Sequence, residues 1–137
     1  MKTFQLKTIA LVLFVTTLFS CSNSDNDLGI ETPEVVKPAL VSNVTGPATA
    51  RANKQVKIVV EFKVESNCGS LNRFITTTED VDVARVEVEA RYSGQCSPQI
   101  ITRTVDYVFA APAVGTYKIR FKSGPSEFIT HTMEITQ

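Results

Sequence analysis

Hydrophobic and polar residues alternate through residues 38 to 137, with the period of two that a half-buried β-strand requires. The alternation is clearest in residues 56 to 65, 85 to 92 and 117 to 122. The apolar residues of these segments are Val56, Ile58, Val60, Phe62, Val64, Val86, Val88, Ala90, Tyr92, Tyr117, Ile119 and Phe121. Only Val59 interrupts the pattern. We therefore predict strands here, with the apolar residues facing a core.

Weaker strand patterns occupy residues 39 to 45, 71 to 78, 99 to 109 and 128 to 136. Turn-forming residues separate most of the predicted strands. The clearest turn signals are Gly46-Pro47, Asn67-Cys68-Gly69, Ser93-Gly94, Ala111-Pro112 and Ser123-Gly124-Pro125. No segment after residue 38 has a convincing helical period. The sequence thus predicts an all-β domain of about seven short strands.

The start of the chain has a different pattern. Lys2 and Lys7 precede an uncharged run from Ile9 to Phe19, which as a helix is far shorter than the ~30 Å hydrocarbon core of a bilayer. A basic start, a short apolar run and small residues at a cleavage point are the three parts of a secretory signal. We expect residues 1 to 20 to be a signal peptide, with a retained membrane anchor as the alternative.

Leu18-Phe19-Ser20-Cys21 ends this apolar run. It resembles the bacterial lipoprotein box, in which an aliphatic and a small residue precede a cysteine; Phe19 stands where the box usually has a smaller residue. The resemblance implies that Cys21 is the first residue of the mature chain and carries a diacylglyceryl group, with a further acyl chain such as palmitate on its amino group. Two or more acyl chains hold a protein on a membrane stably. The implied location is the outer membrane.

Residues 21 to 37 are predicted to be a flexible tether. The stretch Ser22 to Asp27 has too little apolar surface to offset the entropy of ordering it. It also resembles the acidic export tags of surface lipoproteins in some Gram-negative bacteria, which implies display on the cell surface. A spacer on the periplasmic face is the alternative. The expected organisation is a signal peptide at 1–20, this tether, and one domain at 38–137.

Cys68 and Cys96 remain as an even pair once Cys21 carries lipid. In an oxidising compartment such a pair predicts a disulfide. Zinc binding is the alternative, although two thiols and a single histidine make a poor ligand set. If residues 71–78 and 82–92 form an antiparallel hairpin, both cysteines lie at its open end, where a disulfide would join two strand termini.

The segment PAVGTYKIRF, residues 112 to 121, resembles a late strand of bacterial immunoglobulin-like and fibronectin-like domains. The resemblance implies that Tyr117 is a corner tyrosine whose hydroxyl bonds to nearby backbone. Seven short strands with these turns likewise favour an immunoglobulin-like antiparallel β-sandwich, with a small β-barrel as the alternative. The tryptophan of antibody domains is missing, because the chain contains none.

Candidate chemistry is sparse. His131 is the only histidine and shares a predicted strand face with apolar residues, without a nucleophile and an orienting group. Nucleophile-elbow and phosphate-loop motifs do not occur. We therefore predict no catalytic, cofactor or metal site, and no enzymatic activity. Glu79, Asp80 and Asp82 form an acidic cluster, for which calcium binding and a solvated turn stay open.

The positive charges of Arg103 and of a stripe on the 117–122 strand are expected to be solvated or paired with acids. Arg103 falls on an apolar strand face, so we expect a bulge or strand end to let it reach water, or an acidic residue to pair with it. Lys118, Arg120 and Lys122 form a basic stripe, which we expect to lie across from acids such as Glu87 and Glu89. Recognition of an anionic polymer by this stripe is the alternative.

The charge balance narrows the choice of partner. Residues 38 to 137 contain 11 basic and 10 acidic side chains, which gives no reason to expect a nucleic acid or an anionic membrane face. We predict a non-enzymatic envelope lipoprotein that acts as an interaction or structural module for a protein partner in a cell-envelope assembly. The alternative is an accessory lipoprotein that binds a glycan or another polymer. A ligand would use loops at one end of the domain, and a protein would use a strand edge or a flat face.

Overall fold

The computed structural model describes residues 33 to 137, which fold into eight β-strands. The strands are β1 (Val35–Thr45), β2 (Thr49–Arg51), β3 (Val56–Ser66), β4 (Gly69–Asp80), β5 (Val83–Tyr92), β6 (Pro98–Phe109), β7 (Gly115–Lys122) and β8 (Phe128–Thr136). All seven predicted strands are confirmed, and β2 is an additional short one. The predicted signal peptide and Cys21 lie outside the described residues.

The strands form a single curled sheet in the order β2-β8-β7-β5-β1-β3-β6, with β4 on the other edge of β5. Strand β1 links two halves of this sheet. Its residues 35–39 pair with β5, and its residues 40–45 pair with β3. We call β2, β8, β7, β5 and β4 the larger half-sheet, and the second half of β1 with β3 and β6 the smaller half-sheet. The fold is therefore all-β, as predicted.

The prediction of a purely antiparallel sheet is wrong for two of the strand pairs. Strands β5 and β7 are parallel, and so are β2 and β8. The chain leaves the larger half-sheet after β5, crosses the smaller one in β6, and returns in β7 beside β5 in the same direction. Alternation of side chains shows which face of a strand is buried but carries no information about its direction.

The core lies on the concave face of the curled sheet. The predicted apolar faces of β3, β5 and β7 supply most of it, and Phe62 and Phe121 are its largest fully buried side chains. Each such side chain contributes about 1.5–3 kcal/mol through burial. The ring of Tyr107 packs edge-on against Phe121, with ring centroids 5.5 Å apart. Val59, which interrupted the alternation, lies on the outer face with 36% of its surface exposed.

One end of the domain is tied together where the chain passes between the half-sheets. The β3–β4 connection and the β5–β6 loop meet here, and a disulfide joins Cys68 to Cys96 with their Cα atoms 5.2 Å apart. The predicted disulfide is thus present. Asn67 reinforces it, because its side-chain Oδ1 accepts a hydrogen bond from the Ser97 N–H at 2.9 Å. We call this the disulfide end.

Gly69 permits the close approach of strands at the disulfide end. A Cβ atom at this position would lie 2.6 Å from Cβ of Val64 and 2.8 Å from Cε1 of Tyr92. No side chain fits into that space, so glycine is required where β4 begins. The pairing of β4 with β5 then runs from Gly69 opposite Tyr92 to Asp80 opposite Val83, which confirms the predicted hairpin.

Tyr117 lies toward the opposite end, near the start of β7. Its hydroxyl donates a hydrogen bond to the backbone oxygen of Ala113 at 3.2 Å. The backbone contact expected for this tyrosine is therefore present. It fixes the β6–β7 loop against a ring that is itself almost fully buried.

Candidate binding surfaces

Strands β4 and β6 are the long edge strands of the described domain. Within residues 33 to 137, β4 is hydrogen-bonded only to β5, and β6 only to β3. The two edges flank the side of the curled sheet that lies away from β1, which we call the open side. An edge strand leaves a row of backbone N–H and C=O groups without partners in the sheet. The open side therefore offers two templates for pairing with another chain.

Side chains, rather than backbone, span the open side. The Tyr107 hydroxyl on β6 lies 3.1 Å from Oγ1 of Thr76 on β4, and the Tyr107 ring packs edge-on against Phe74 with centroids 5.1 Å apart. These contacts hold the two half-sheets at a fixed spacing. These side-chain contacts do not involve the backbone N–H and C=O groups along the free edges of β4 and β6.

Arg103 closes the open side near the disulfide end. Its Nε donates to the Gly69 carbonyl at 2.9 Å, and its second guanidinium nitrogen donates to the Asn67 carbonyl at 2.7 Å. The inward orientation predicted for this residue is correct. It lies within the regular β3–β6 ladder opposite Phe62 rather than at a bulge or strand end, and its partners are two backbone carbonyls rather than an acid. Because these two carbonyls accept its hydrogen bonds, the guanidinium group does not project from the outer side of β6.

Strand β6 carries the two most exposed apolar side chains found within the strands of either half-sheet. Ile100 is 77% exposed and Val108 is 50% exposed. Between them lie the exposed residues Thr102, Thr104 and Asp106. Asp106 also pairs with Lys57 of β3, Nζ to Oδ2, at 2.9 Å. The strand thus presents an apolar residue toward each end and a polar middle.

A groove of about 490 Å³ lies at the disulfide end, beside the start of β1. It is lined by Val35, Lys37, Glu65, Ser66, Tyr92, Cys96 and Pro98. The Lys37 ammonium lies 3.1 Å from Oε2 of Glu65 and 5.6 Å from the centre of the Tyr92 ring. The Tyr92 hydroxyl accepts a hydrogen bond from the Glu65 N–H at 3.3 Å.

Tyr92 therefore differs from the other two tyrosines. Tyr107 and Tyr117 are buried, and for Tyr117 this confirms the inward orientation that its strand pattern predicts. Tyr92 is only half-buried and forms one wall of the groove. Tyr92 is the last residue of β5 and lies beside the groove. Its exposure depends on this position, which strand alternation alone does not reveal.

The basic stripe on β7 is paired with acids on the larger half-sheet. Lys122 lies 3.6 Å from Glu87 on β5, and Arg120 lies 2.7 Å from Glu79 on β4. The expected pairing with an acid on a neighbouring strand is confirmed for Lys122, whereas the acid that pairs with Arg120 lies one strand further away, on β4. Because their charges are locally compensated, this face is a weak candidate for binding an anionic polymer.

A further ion pair joins β4 and β5 on the same outer face. Arg73 Nε donates to Glu89 Oε2 at 2.6 Å. This hydrogen bond and the charge of the carboxylate raise the pKa of Arg73. Since the pair lies at the surface, its contribution to stability is small.

The acidic cluster at the β4–β5 turn makes local contacts. Glu79 bonds Arg120, and Asp80 Oδ1 accepts a hydrogen bond from the Val81 N–H at 2.8 Å. The Asp82 carbonyl accepts a hydrogen bond from the Lys118 N–H at 2.8 Å, which ties the turn to β7. Residues 33 to 137 contain no cluster of three or more histidine, cysteine or acidic residues suited to a metal ion.

His131 contacts the connection between β1 and β2. Its Nε2 lies 3.1 Å from the Pro47 carbonyl, and the ring lies against the space beside Gly46. The histidine is partly buried. Its contacts join β8 to a loop, which is a structural role.

Comparison with family models gives no match to this chain, and comparisons with curated proteins and with solved structures give none either. In the described part of the chain, no helix is long and apolar enough to cross a bilayer. The class supported at this point is an all-β domain with a disulfide-tied end and, within residues 33 to 137, two long strands that are each paired on one side only.

Proposed function

We propose that this chain is a non-enzymatic envelope lipoprotein that binds a protein partner by strand addition at its open side. The observation that carries the proposal is the pair of long strand edges, β4 and β6, that flank one opening without backbone partners in the described domain. Strand addition obtains affinity from main-chain hydrogen bonds and specificity from alternate side chains. In this proposal the domain is an immunoglobulin-like sandwich, a geometry with which the curled sheet and the Tyr117 contact agree.

Strand β6 is the better-suited of the two edges. It is rich in β-branched residues, which favour an extended conformation, and it contains no lysine. Its one basic residue, Arg103, is turned inward and bonded to backbone carbonyls. Strand β4 carries charged residues that pair with neighbours on the outer face, and its pairing with β5 is interrupted by two register shifts, whereas the pairing of β6 with β3 has one, between Pro98 and Ile101. Such irregularities discourage edge pairing.

The proposed anchor is the acylated Cys21, which holds the domain at the outer membrane, on the cell surface or the periplasmic face. Thirteen residues separate Cys21 from Val35, the first residue of β1. At the length of an extended chain this gives the domain a reach of at most about 45 Å. A partner bound at the open side would therefore be another envelope component within that distance of the membrane.

In-cell chemical crosslinking of the lipidated protein, followed by mass spectrometry, tests the proposal. We expect capture of one abundant envelope partner by the wild type and a clear loss of capture by Thr104→Lys, because a lysine on an edge opposes strand addition. Thr132→Lys on β8 is the matched control, since Thr132 is equally an exposed threonine on an outer face. Equal capture by all three proteins would show that the β6 edge is not used.

The groove at the disulfide end supports a second candidate function, binding of a glycan or another polymer. Lys37, Glu65 and the half-buried ring of Tyr92 present a cation, an anion and an aromatic surface within one groove. A glycan array tests this reading with the variant Lys37→Ala/Glu65→Ala, whose side chains are 52% and 74% exposed and therefore replaceable without unfolding. Binding that the wild type shows and the variant loses would support it.

A further inference from the structure

We infer that the occupant of the β6 edge is β6 of a second copy of this chain, paired antiparallel about a two-fold axis at Thr104. The inference deepens the proposed function and rests on it. Its basis is the arrangement of outward-facing residues on β6, in which the two exposed apolar side chains, Ile100 and Val108, lie equally far from Thr104 on either side.

In this register each outward side chain faces a complementary one. Ile100 of one copy lies opposite Val108 of the other, so that four exposed apolar side chains are covered in two symmetric contacts. Thr102 lies opposite Asp106, whose side chain is 47% exposed and can accept a hydrogen bond from the threonine hydroxyl. The two Thr104 side chains meet at the axis. No like charges face each other.

Other two-fold registers that keep the same side chains outward fit less well. With the axis at Arg103, Ile100 would face Asp106, and the two Arg103 side chains would lie directly opposite each other. With the axis at Val105, Val108 would face Thr102. Ile100 would face position 110, which lies past the end of the partner's β6 at Phe109. Only the axis at Thr104 places apolar against apolar at both ends of the ladder. The inward-facing Arg103 then lies opposite Val105.

The resulting pairing is closed. A two-fold axis uses the same edge in both copies, so that the dimer has no free β6 edge and does not extend into a fibre. The two smaller half-sheets, each contributing part of β1, β3 and β6, become one continuous sheet. Anchoring both copies in one membrane would raise their effective concentration and favour a pairing that is weak in solution.

Cysteine crosslinking of the full-length protein in its own membranes tests the register. We expect Thr104→Cys to give a disulfide-linked dimer on mild oxidation. Thr132 on β8 is also an exposed threonine, and we expect Thr132→Cys to give no such dimer. Differently tagged Ile100→Cys and Val108→Cys copies, expressed together, should also link. Ile100→Cys expressed alone should not, because the two cysteines would then be eight residues apart across the ladder.

Charge variants at the same positions provide a second measurement. Ile100→Lys/Val108→Lys places lysines opposite each other and should lower the dimer fraction by about tenfold or more. Ile100→Lys/Val108→Glu places opposite charges there and should restore it. Both positions are exposed, so both variants are expected to fold, which circular dichroism checks.

The outcomes separate this inference from the proposed function. If Thr104→Cys links no better than Thr132→Cys, or if the lysine variant leaves the dimer unchanged, self-pairing in this register is wrong. A different envelope protein captured by the wild type and lost in Thr104→Lys would then still support strand addition. If neither a second copy nor another protein is captured through β6, both proposals fail.

Discussion

Arg103 is the residue that links the edge strand β6 to the connection between the half-sheets. A guanidinium group presents several N–H donors in a fixed fork, and two of them here reach the carbonyls of Asn67 and Gly69. Hydrogen bonds with a charged donor are stronger than neutral ones. The same residue therefore supports the disulfide end and keeps a positive charge off the outer side of β6.

Replacing Arg103 by methionine should lower the free energy of unfolding by about 1–3 kcal/mol, because two backbone carbonyls lose charged donors. Urea denaturation measures this loss. Arg103→Lys should recover only part of it, since an ammonium lacks the planar fork. Lys57→Met is the control: it removes an exposed ion pair with Asp106, which contributes at most about 1 kcal/mol. Equal effects of Arg103→Met and Lys57→Met would contradict a special role for the carbonyl contacts.

At the scale of the element, the disulfide constrains the β4–β5 hairpin and its flanking loops. Cys68 and Cys96 are 28 residues apart in sequence, and the cross-link limits the freedom of everything between them in the unfolded chain. For a closed loop of about 29 residues the stabilisation is roughly 3.5 kcal/mol. The bonds between Asn67 and Ser97 and those of Arg103 hold the same end without the disulfide.

We therefore expect Cys68→Ala/Cys96→Ala to fold with the same strands but to lose roughly 3 kcal/mol of stability. Urea denaturation of wild type and variant, each with and without reductant, measures the difference. Reductant should destabilise the wild type to about the level of the variant and leave the variant unchanged. A variant as stable as the oxidised wild type would show that the loop constraint contributes little.

The positions of the strands and their buried faces could be predicted from the sequence, because the alternation of apolar and polar residues indicates both. The faces of β3, β5 and β7 are as predicted, since each strand is buried on one side only. The short β2 was missed because three residues are too few to show a period. The parallel pairs were missed as well, because they depend on how β6 crosses between the half-sheets rather than on any local pattern.

The candidate surfaces were less predictable, because they depend on contacts between distant segments. The sequence placed Arg103 on an inward face but could not supply carbonyl partners that come from the β3–β4 connection. The sequence likewise could not show that β6 is an edge strand, because this follows from the order of the strands in the sheet. The disulfide between Cys68 and Cys96 was predictable because two cysteines without further metal ligands have few alternatives to pairing with each other.

At the scale of the whole molecule, the proposed anchoring at Cys21 and the proposed pairing through β6 would depend on each other. Cys21→Ser removes the proposed acylation site, and we expect the protein to move from the membrane fraction to the soluble fraction and to lose palmitate labelling. The eight strands of the described domain run from Val35 to Thr136 and do not include Cys21, so we expect the unfolding of the domain to be unchanged. Because anchoring raises effective concentration, Thr104→Cys/Cys21→Ser should crosslink less than Thr104→Cys alone. If Cys21→Ser remains fully membrane-bound and labelled, Cys21 is not the anchor.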